Sequence, residues 1–191
     1  MTLPKHLRNL SLAILAAASQ TQAGTLDADL NNETLHARYN INSDKAQVGL
    51  SLDGMFTDDK GEALYFTAKT QGKLGNSQNI RGGFGGRAYW LSPDQGDDLQ
   101  AFALGGYVSV VVPQAPDLTI GAELFYAPSI TVSDDWENVK HLELRVSYQL
   151  FENAAVYMGI RQFELEYDAP AFVDDDVEVD DGVHFGFSLQ F

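Results

Sequence analysis

Positions 183–191 read Val-His-Phe-Gly-Phe-Ser-Leu-Gln-Phe, apolar at every odd position and polar or glycine at every even one. A side-chain period of two suits a strand with one apolar and one polar face and does not suit a helix. The alternation recurs along the chain. It sets Leu35, Ala37, Tyr39 and Ile41 on one face, then Ala46, Val48, Leu50 and Leu52, then Leu64, Phe66 and Ala68. Phe84, Ala88 and Trp90 follow in a glycine-rich segment, and Phe102, Leu104, Val108, Val110 and Val112 in a long apolar one. Further sets run from Leu118 through Ile120, Ala122 and Leu124 to Tyr126, from Leu142 through Leu144, Val146 and Tyr148 to Leu150, and over Val156, Met158 and Ile160. No segment has convincing helical periodicity, and no run of eighteen apolar residues supplies a membrane-spanning helix. The fold class is all-β.

Such strands close on themselves in two inside-out ways, as a soluble lipocalin-like barrel with an apolar interior or as a transmembrane barrel with an apolar exterior. Three features favour the membrane form. First, Phe185, Phe187, Leu189 and Phe191 form an ending that resembles the closing strand of bacterial outer-membrane barrels, which also serves as their assembly signal. Second, the expected connections fall into two length classes: 42–44, 113–117 and 151–153 are short, whereas 53–62, 92–98, 127–140 and 167–181 are long and mostly acidic. Segment 72–79 is the exception, expected as a short turn but of middling length. Short turns at one end and long loops at the other are the outer-membrane pattern. Third, Arg38, Arg81, Arg87, Arg145 and Arg161 all fall on polar strand faces, with Glu123, Glu143 and a single strand lysine, Lys69. An arginine facing the bilayer midplane costs about 2–4 kcal/mol, so its confinement to one face is expected if the other meets lipid.

The aromatics Tyr39, Trp90, Tyr126, Tyr148, Phe151, Tyr167 and Phe191 lie near expected strand ends, where rings settle at headgroup level. The reading is a transmembrane antiparallel up-and-down β-barrel of 8–10 strands. Ten are favoured, with 24–30 a strand of its own before an Asn31-Asn32 turn; eight follows if 24–41 is one strand and another assignment fails.

Residues 1–23 read as a signal peptide cleaved on export, with Lys5, His6 and Arg8 before an apolar 10–18 and small residues at 21–23. The barrel then occupies 24–191. Twenty-seven acidic against 12 basic residues, a net charge of −15, argue against binding nucleic acid. The absence of cysteine excludes disulfides, thiolate metal sites and a lipid-anchored cysteine. No cofactor is expected. The expected partners are outer-membrane lipid and lipopolysaccharide, with periplasmic chaperones and the barrel-assembly machinery during biogenesis, around a monomer.

The leader, the Asp29-Leu30-Asn31-Asn32-Glu33-Thr34 start, the Gly82-Gly83-Phe84-Gly85-Gly86 strand and the His184-to-Phe191 ending resemble the YfaZ family of small Gram-negative outer-membrane proteins. The resemblance extends over the whole mature chain. It implies a porin-like outer-membrane barrel and carries no established catalytic or ligand residues.

The candidate lumen residues are Arg38, Lys69, Arg81, Arg87, Glu123, His141, Glu143, Arg145 and Arg161. They line a narrow pore for ions or small solutes, or fill the lumen of a closed barrel that works through acidic outer loops. Few interior carboxylates are expected beyond Glu123 and Glu143, so a basic, anion-preferring constriction follows. The glycines of 82–86 are expected to leave interior room for bulky neighbours such as Arg87. His184 and Ser188 share a face but stand roughly 13 Å apart along the strand, too far for nucleophilic catalysis. An enzyme is not expected. Asp174, Asp176, Glu178 and Asp180 imitate a calcium-loop spacing, but Val179 stands where such a loop needs glycine, so they offer weak divalent-cation binding at most.

Overall fold

The computed structural model describes residues 24–41, 47–58, 60–94, 98–133, 136–167 and 177–191. The strands in chain order are β1 (Gly24–Leu30), β2 (Thr34–Ile41), β3 (Val48–Thr57), β4 (Gly61–Thr70), β5 (Gly72–Lys73), β6 (Ile80–Pro93), β7 (Leu99–Val112), β8 (Ala115–Ala127), β9 (Trp136–Phe151), β10 (Ala154–Tyr167) and β11 (Val177–Gln190). Ten of them form one closed antiparallel barrel. Sequence neighbours pair throughout, β1 closes on β11, and β4 pairs with β6 past the two-residue β5. Ten is reached because Gly24–Leu30 is separate from β2. The Asn31 side-chain oxygen accepts the backbone N–H groups of Glu33 (2.8 Å) and Thr34 (2.6 Å), and this Asx turn reverses the chain.

The period-two alternation sorts residues between lipid and lumen. On β9, Leu144, Val146, Tyr148 and Leu150 are exposed outward while His141 and Glu143 are buried inward. On β6, Phe84 is 75% exposed and Arg87, three residues on, is 1% exposed. Apolar side chains therefore cover the outside and charged ones the inside, the inverse of a lipocalin-like barrel. A closed barrel satisfies every ladder hydrogen bond without water, which is what lets strands cross a bilayer. Trp90 and Tyr126 stand outward toward one end, and Tyr148, Phe151 and Phe191 toward the other. Tyr39 departs from the expected girdle, being buried against Gly24. The Tyr167 side chain lies outside the described residues.

Gly24, Phe191 and the two-residue turns at 113–114 and 152–153 share one end, here the turn end. The opposite, loop end departs from the sequence expectation. The segment 53–62 is mostly strand, leaving only 58–60 as a connection, and residues 136–140 and 177–181 also belong to strands. The length asymmetry holds for the β7–β11 side of the barrel. It fails for the β1–β6 side, where the turn-end connections 42–47 and 71–79 are the longer ones.

The strands run on because their alternation inverts above the lipid belt. Met55, Ala63, Leu91, Leu99, Ala101, Ala127, Val139 and Leu165 point inward and form an apolar core. On the outside of β9 and β10 at this level Lys140 pairs with Glu164 at 3.2 Å, and Asn138 bonds Glu166. Polar groups outside and apolar groups inside suit water on the exterior, so the loop end is built as a soluble β-barrel on top of a membrane one. The connection after β8 folds back there, with Ser133 N–H donating to Gln100 O at 2.8 Å and Val132 bridging Ala101.

Candidate functional site: a layered lumen

Three layers stack inside the barrel. The apolar core just described is the outermost, at the loop end.

Beneath it lies a layer of rings. Tyr65, Tyr89, His141 and Phe163 pack with centroids 4.5–6.4 Å apart, His141 stacking on Phe163 at 4.5 Å. The Arg87 guanidinium lies under this layer, 4.0 Å from the Phe125 ring centre and 4.8 Å from that of Tyr65. Burial of both makes these cation–π contacts stronger than surface ones.

The third layer is a charge network that crosses the lumen. Starting at β11, Asp180 accepts from Arg161 (3.0 Å), which also donates to Asp29 (3.0 Å). Asp29 bonds His36 (2.8 Å), and His36 reaches Asp53 (3.3 Å) and the Tyr65 hydroxyl (3.0 Å). Asp53 takes Arg38, whose other nitrogen lies 3.3 Å from Glu143 and 3.4 Å from Glu123. Glu123 also accepts Arg87 and Lys69. Every barrel strand except β7 contributes a group to this chain of contacts. Ion pairs taken out of water repay their desolvation only when hydrogen bonding is extensive, and a network meets that condition better than isolated pairs do.

Toward the turn end the lumen opens to water. Asn40, Lys69, Tyr107, Ser109, Thr119, Arg145, Ser147 and Ser188 are half-buried, whereas the inward side chains of the outer layers are buried. Arg145 forms the floor of this vestibule, pairing with Asp27 at 3.3 Å and covering the Tyr157 ring at 3.4 Å. Two glycines seat the rings beside it. Gly159 faces His184 across the β10–β11 ladder and Gly186 faces Tyr157. A Cβ on Gly159 would come within 2.7 Å of the imidazole, and one on Gly186 within 2.5 Å of the Ala28 carbonyl.

Of the residues expected in the lumen, Arg38, Arg87, Glu123, His141, Glu143 and Arg161 are buried there. Lys69 and Arg145 border the vestibule, and Arg81 is exposed at its mouth. Asp27, Asp29, His36, Asp53, Asp180 and His184 join them without having been anticipated. The expected shortage of interior carboxylates is therefore incorrect. Among the described residues Arg38, Lys69, Arg87, Arg145 and Arg161 face Asp27, Asp29, Asp53, Glu123, Glu143 and Asp180, and charge is nearly balanced. The signal for the extra acids was present in part, since Asp27 and Asp29 alternate with Leu26, Ala28 and Leu30.

Two further expectations change. Asp180 is not a free loop ligand, because it accepts from Arg161, Asn31 (2.7 Å) and Thr34 (2.8 Å) inside the barrel; Asp174 and Asp176 lie outside the described residues, and Glu178 is exposed. No cluster of three metal-binding side chains occurs among the described residues. Gly83 and Gly85 do face the lumen, but what fills the place of their side chains is the β4 backbone at Thr70, Ala68 and Lys69, not Arg87. Their role is close approach of two strands. His184 lies against Tyr157 and Glu143, and its ring nitrogens have no hydrogen-bond partner among the described residues.

No curated protein matches the chain in sequence. It is similar in outline to two solved structures. One is a KdgM porin in complex with disordered oligogalacturonate, 14% identical, covering 88% of this chain and 99% of that one at a TM-score of 0.46. The other is a KdgM porin, 13% identical over the same shares at 0.44. The family model described as YfaZ precursor matches residues 5–191, a description that fits the leader expected at 1–23, which lies outside the described residues. With an apolar belt around a charged lumen the chain is a closed ten-stranded β-barrel of the membrane type, and by a family match over nearly its full length it belongs to the YfaZ family.

Proposed function

We propose that this barrel is closed at rest: a vestibule open at the turn end and sealed by the charge network, the ring layer and the apolar core above it. Termini and tight turns share the periplasmic end in barrels of this class, so the vestibule faces the periplasm and the seal faces outward. The observation that carries this reading is the burial of lumen side chains as long as Arg87, Arg161, Tyr65, Tyr89 and Phe163, each 0–1% exposed. An interior that water does not reach passes no hydrated ion. Ten strands leave little cross-section once such side chains point inward. The work of the protein then falls to its outer end or to the vestibule rather than to steady diffusion.

A narrow pore is the second reading, favoured by the half-buried polar lining of the turn-end half. Single-channel recording in planar bilayers separates the two. The closed barrel predicts no unitary steps at neutral pH in either orientation of applied voltage. Steady wild-type conductance refutes it. Should a current appear, the near-balanced interior predicts weak ion selectivity, in place of the anion preference an arginine-lined constriction would impose.

A further inference from the structure

One register row of the vestibule runs across neighbouring strands: Arg81 of β6, Ser109 of β7, Gly121 of β8 and Arg145 of β9, with Lys73 of β5 directly opposite Arg81. Directly paired residues share a sheet face, and Arg145 faces the lumen, so the whole row does. Three strand spacings of about 4.8 Å set the two arginines roughly 14 Å apart along the wall. Only small residues stand between them. A Cβ on Gly121 would meet nothing nearer than 3.6 Å, so its place is open, whereas those of Gly83, Gly85 and Gly105 are filled by neighbouring backbone. Thr119 pairs with Ser147 two residues toward the turn end, and with Ser109 they ring the hollow with half-buried hydroxyls.

The lumen is nearly balanced in charge as a whole but not layer by layer. The network holds five carboxylates, Asp29, Asp53, Glu123, Glu143 and Asp180, against the three guanidiniums of Arg38, Arg87 and Arg161. The vestibule sets Lys69, Arg81 and Arg145 against Asp27, with Asp117 and Glu152 exposed at the rim. Arg145 gives Nε to Ser147 at 3.0 Å and Nη1 to Asp27 at 3.3 Å, and its Nη2 makes no hydrogen bond among the described residues. Arg81 has no carboxylate partner among them, and its neighbour Lys73 bonds the neutral Gln78 side chain. Like charges directly opposite on a sheet disfavour each other, and an anion beside them removes that cost. Guanidiniums pair with carboxylate and phosphate alike. Donors on opposite sides of the hollow suit a tetrahedral dianion better than a carboxylate, whose oxygens lie at one end.

We propose that this row binds a phosphate group, seated over Gly121 between Arg81 and Arg145, with the hydroxyls of Ser109, Thr119 and Ser147 donating to its oxygens. The site rests on the reading that the turn end is a vestibule open to water. The test is isothermal titration calorimetry with inorganic phosphate on the full barrel in nonionic detergent, with folding checked by heat-modifiable gel migration. The wild type is expected to show saturable binding that weakens as sodium chloride rises. Arg81→Gln and Arg145→Gln are each expected to weaken it about tenfold or more, the loss of one charged hydrogen bond. Gly121→Leu, whose side chain fills the hollow, is expected to abolish binding in protein that still migrates as folded. Lys60→Gln, an equal charge change at the loop end, is expected to leave the affinity unchanged. Glycerol 3-phosphate is expected to displace inorganic phosphate; tighter binding of the ester marks a phosphomonoester as the ligand, and tighter binding of the free ion marks phosphate itself. No saturable binding by folded wild type, equal weakening by Lys60→Gln, or unchanged affinity in folded Arg81→Gln and Gly121→Leu would each overturn the proposal. Absence of binding in a non-conducting barrel removes the site and leaves the seal, whereas conductance with binding retained removes the seal and leaves the site.

Discussion

Replacing Glu123 by Gln tests the energetics of the buried charge network most directly. Its carboxylate is where Arg38, Arg87 and Lys69 converge, and its side chain is 10% exposed. The three cations are not equally harmed by its loss. Lys69 lies over the Tyr107 ring at the edge of the vestibule and can turn into water. Arg38 keeps Asp53 and Glu143. Arg87 is 1% exposed and, among the described residues, keeps only neutral partners, the Thr67 hydroxyl at 2.8 Å, His141 at 3.1 Å and Tyr89 at 3.5 Å. The cost therefore concentrates on one buried guanidinium. Removing one partner of a buried pair costs about 3–5 kcal/mol, a large share of the ~5–15 kcal/mol that holds a typical domain together.

Arg87→Met should cost a similar amount, because Glu123 then loses its most deeply buried partner. The double variant should cost less than the two singles combined, with a coupling of up to about 3 kcal/mol. Urea titration of protein folded into lipid vesicles measures all three, followed by the fluorescence of Trp90 and Trp136. A Glu123→Gln variant within ~0.5 kcal/mol of wild type, the range of ordinary surface substitutions, refutes the reasoning. So does strict additivity with Arg87→Met.

Two further variants probe the faces and the packing. Leu144→Arg places a charge on the lipid side and should impair folding into vesicles by about 2–4 kcal/mol. Arg145→Leu should cost less in the same assay, since water in the vestibule can solvate Asp27 once its partner is gone; a reversed order would mean that the two faces have been exchanged. Gly186→Ala meets the Ala28 carbonyl at 2.5 Å and should cost about 1–3 kcal/mol. Gly121→Ala, whose nearest neighbour is 3.6 Å away, should leave the urea midpoint almost unchanged, and equal effects of the two would contradict the seating of Tyr157 on Gly186.

Alternation is a local property, and what depends on it alone was legible along the chain. The strands, the confinement of Arg38, Arg87 and Arg161 to the inner face, the outward rows on β8 to β11 and the separate β1 before Asn31 all follow from residues two apart. What failed was each inference that needed to know where the membrane ends. Above the belt the faces exchange character, so Met55, Leu91, Leu99 and Leu165 turn inward by the same period that elsewhere turns apolar residues to lipid. A reader of the chain meets the acids at 53 and 180 as loop residues for that reason. Their true setting requires strands that run on past the bilayer and partners far away in sequence, as Arg161 is from Asp29 and Glu123 from Arg38. The sequence by itself determined a barrel, from alternation within single strands, and which face meets lipid, from the confinement of arginine to the other face. Only closure of the ten strands decided that the interior is nearly charge-balanced and densely filled, because that depends on which side chains meet across the lumen.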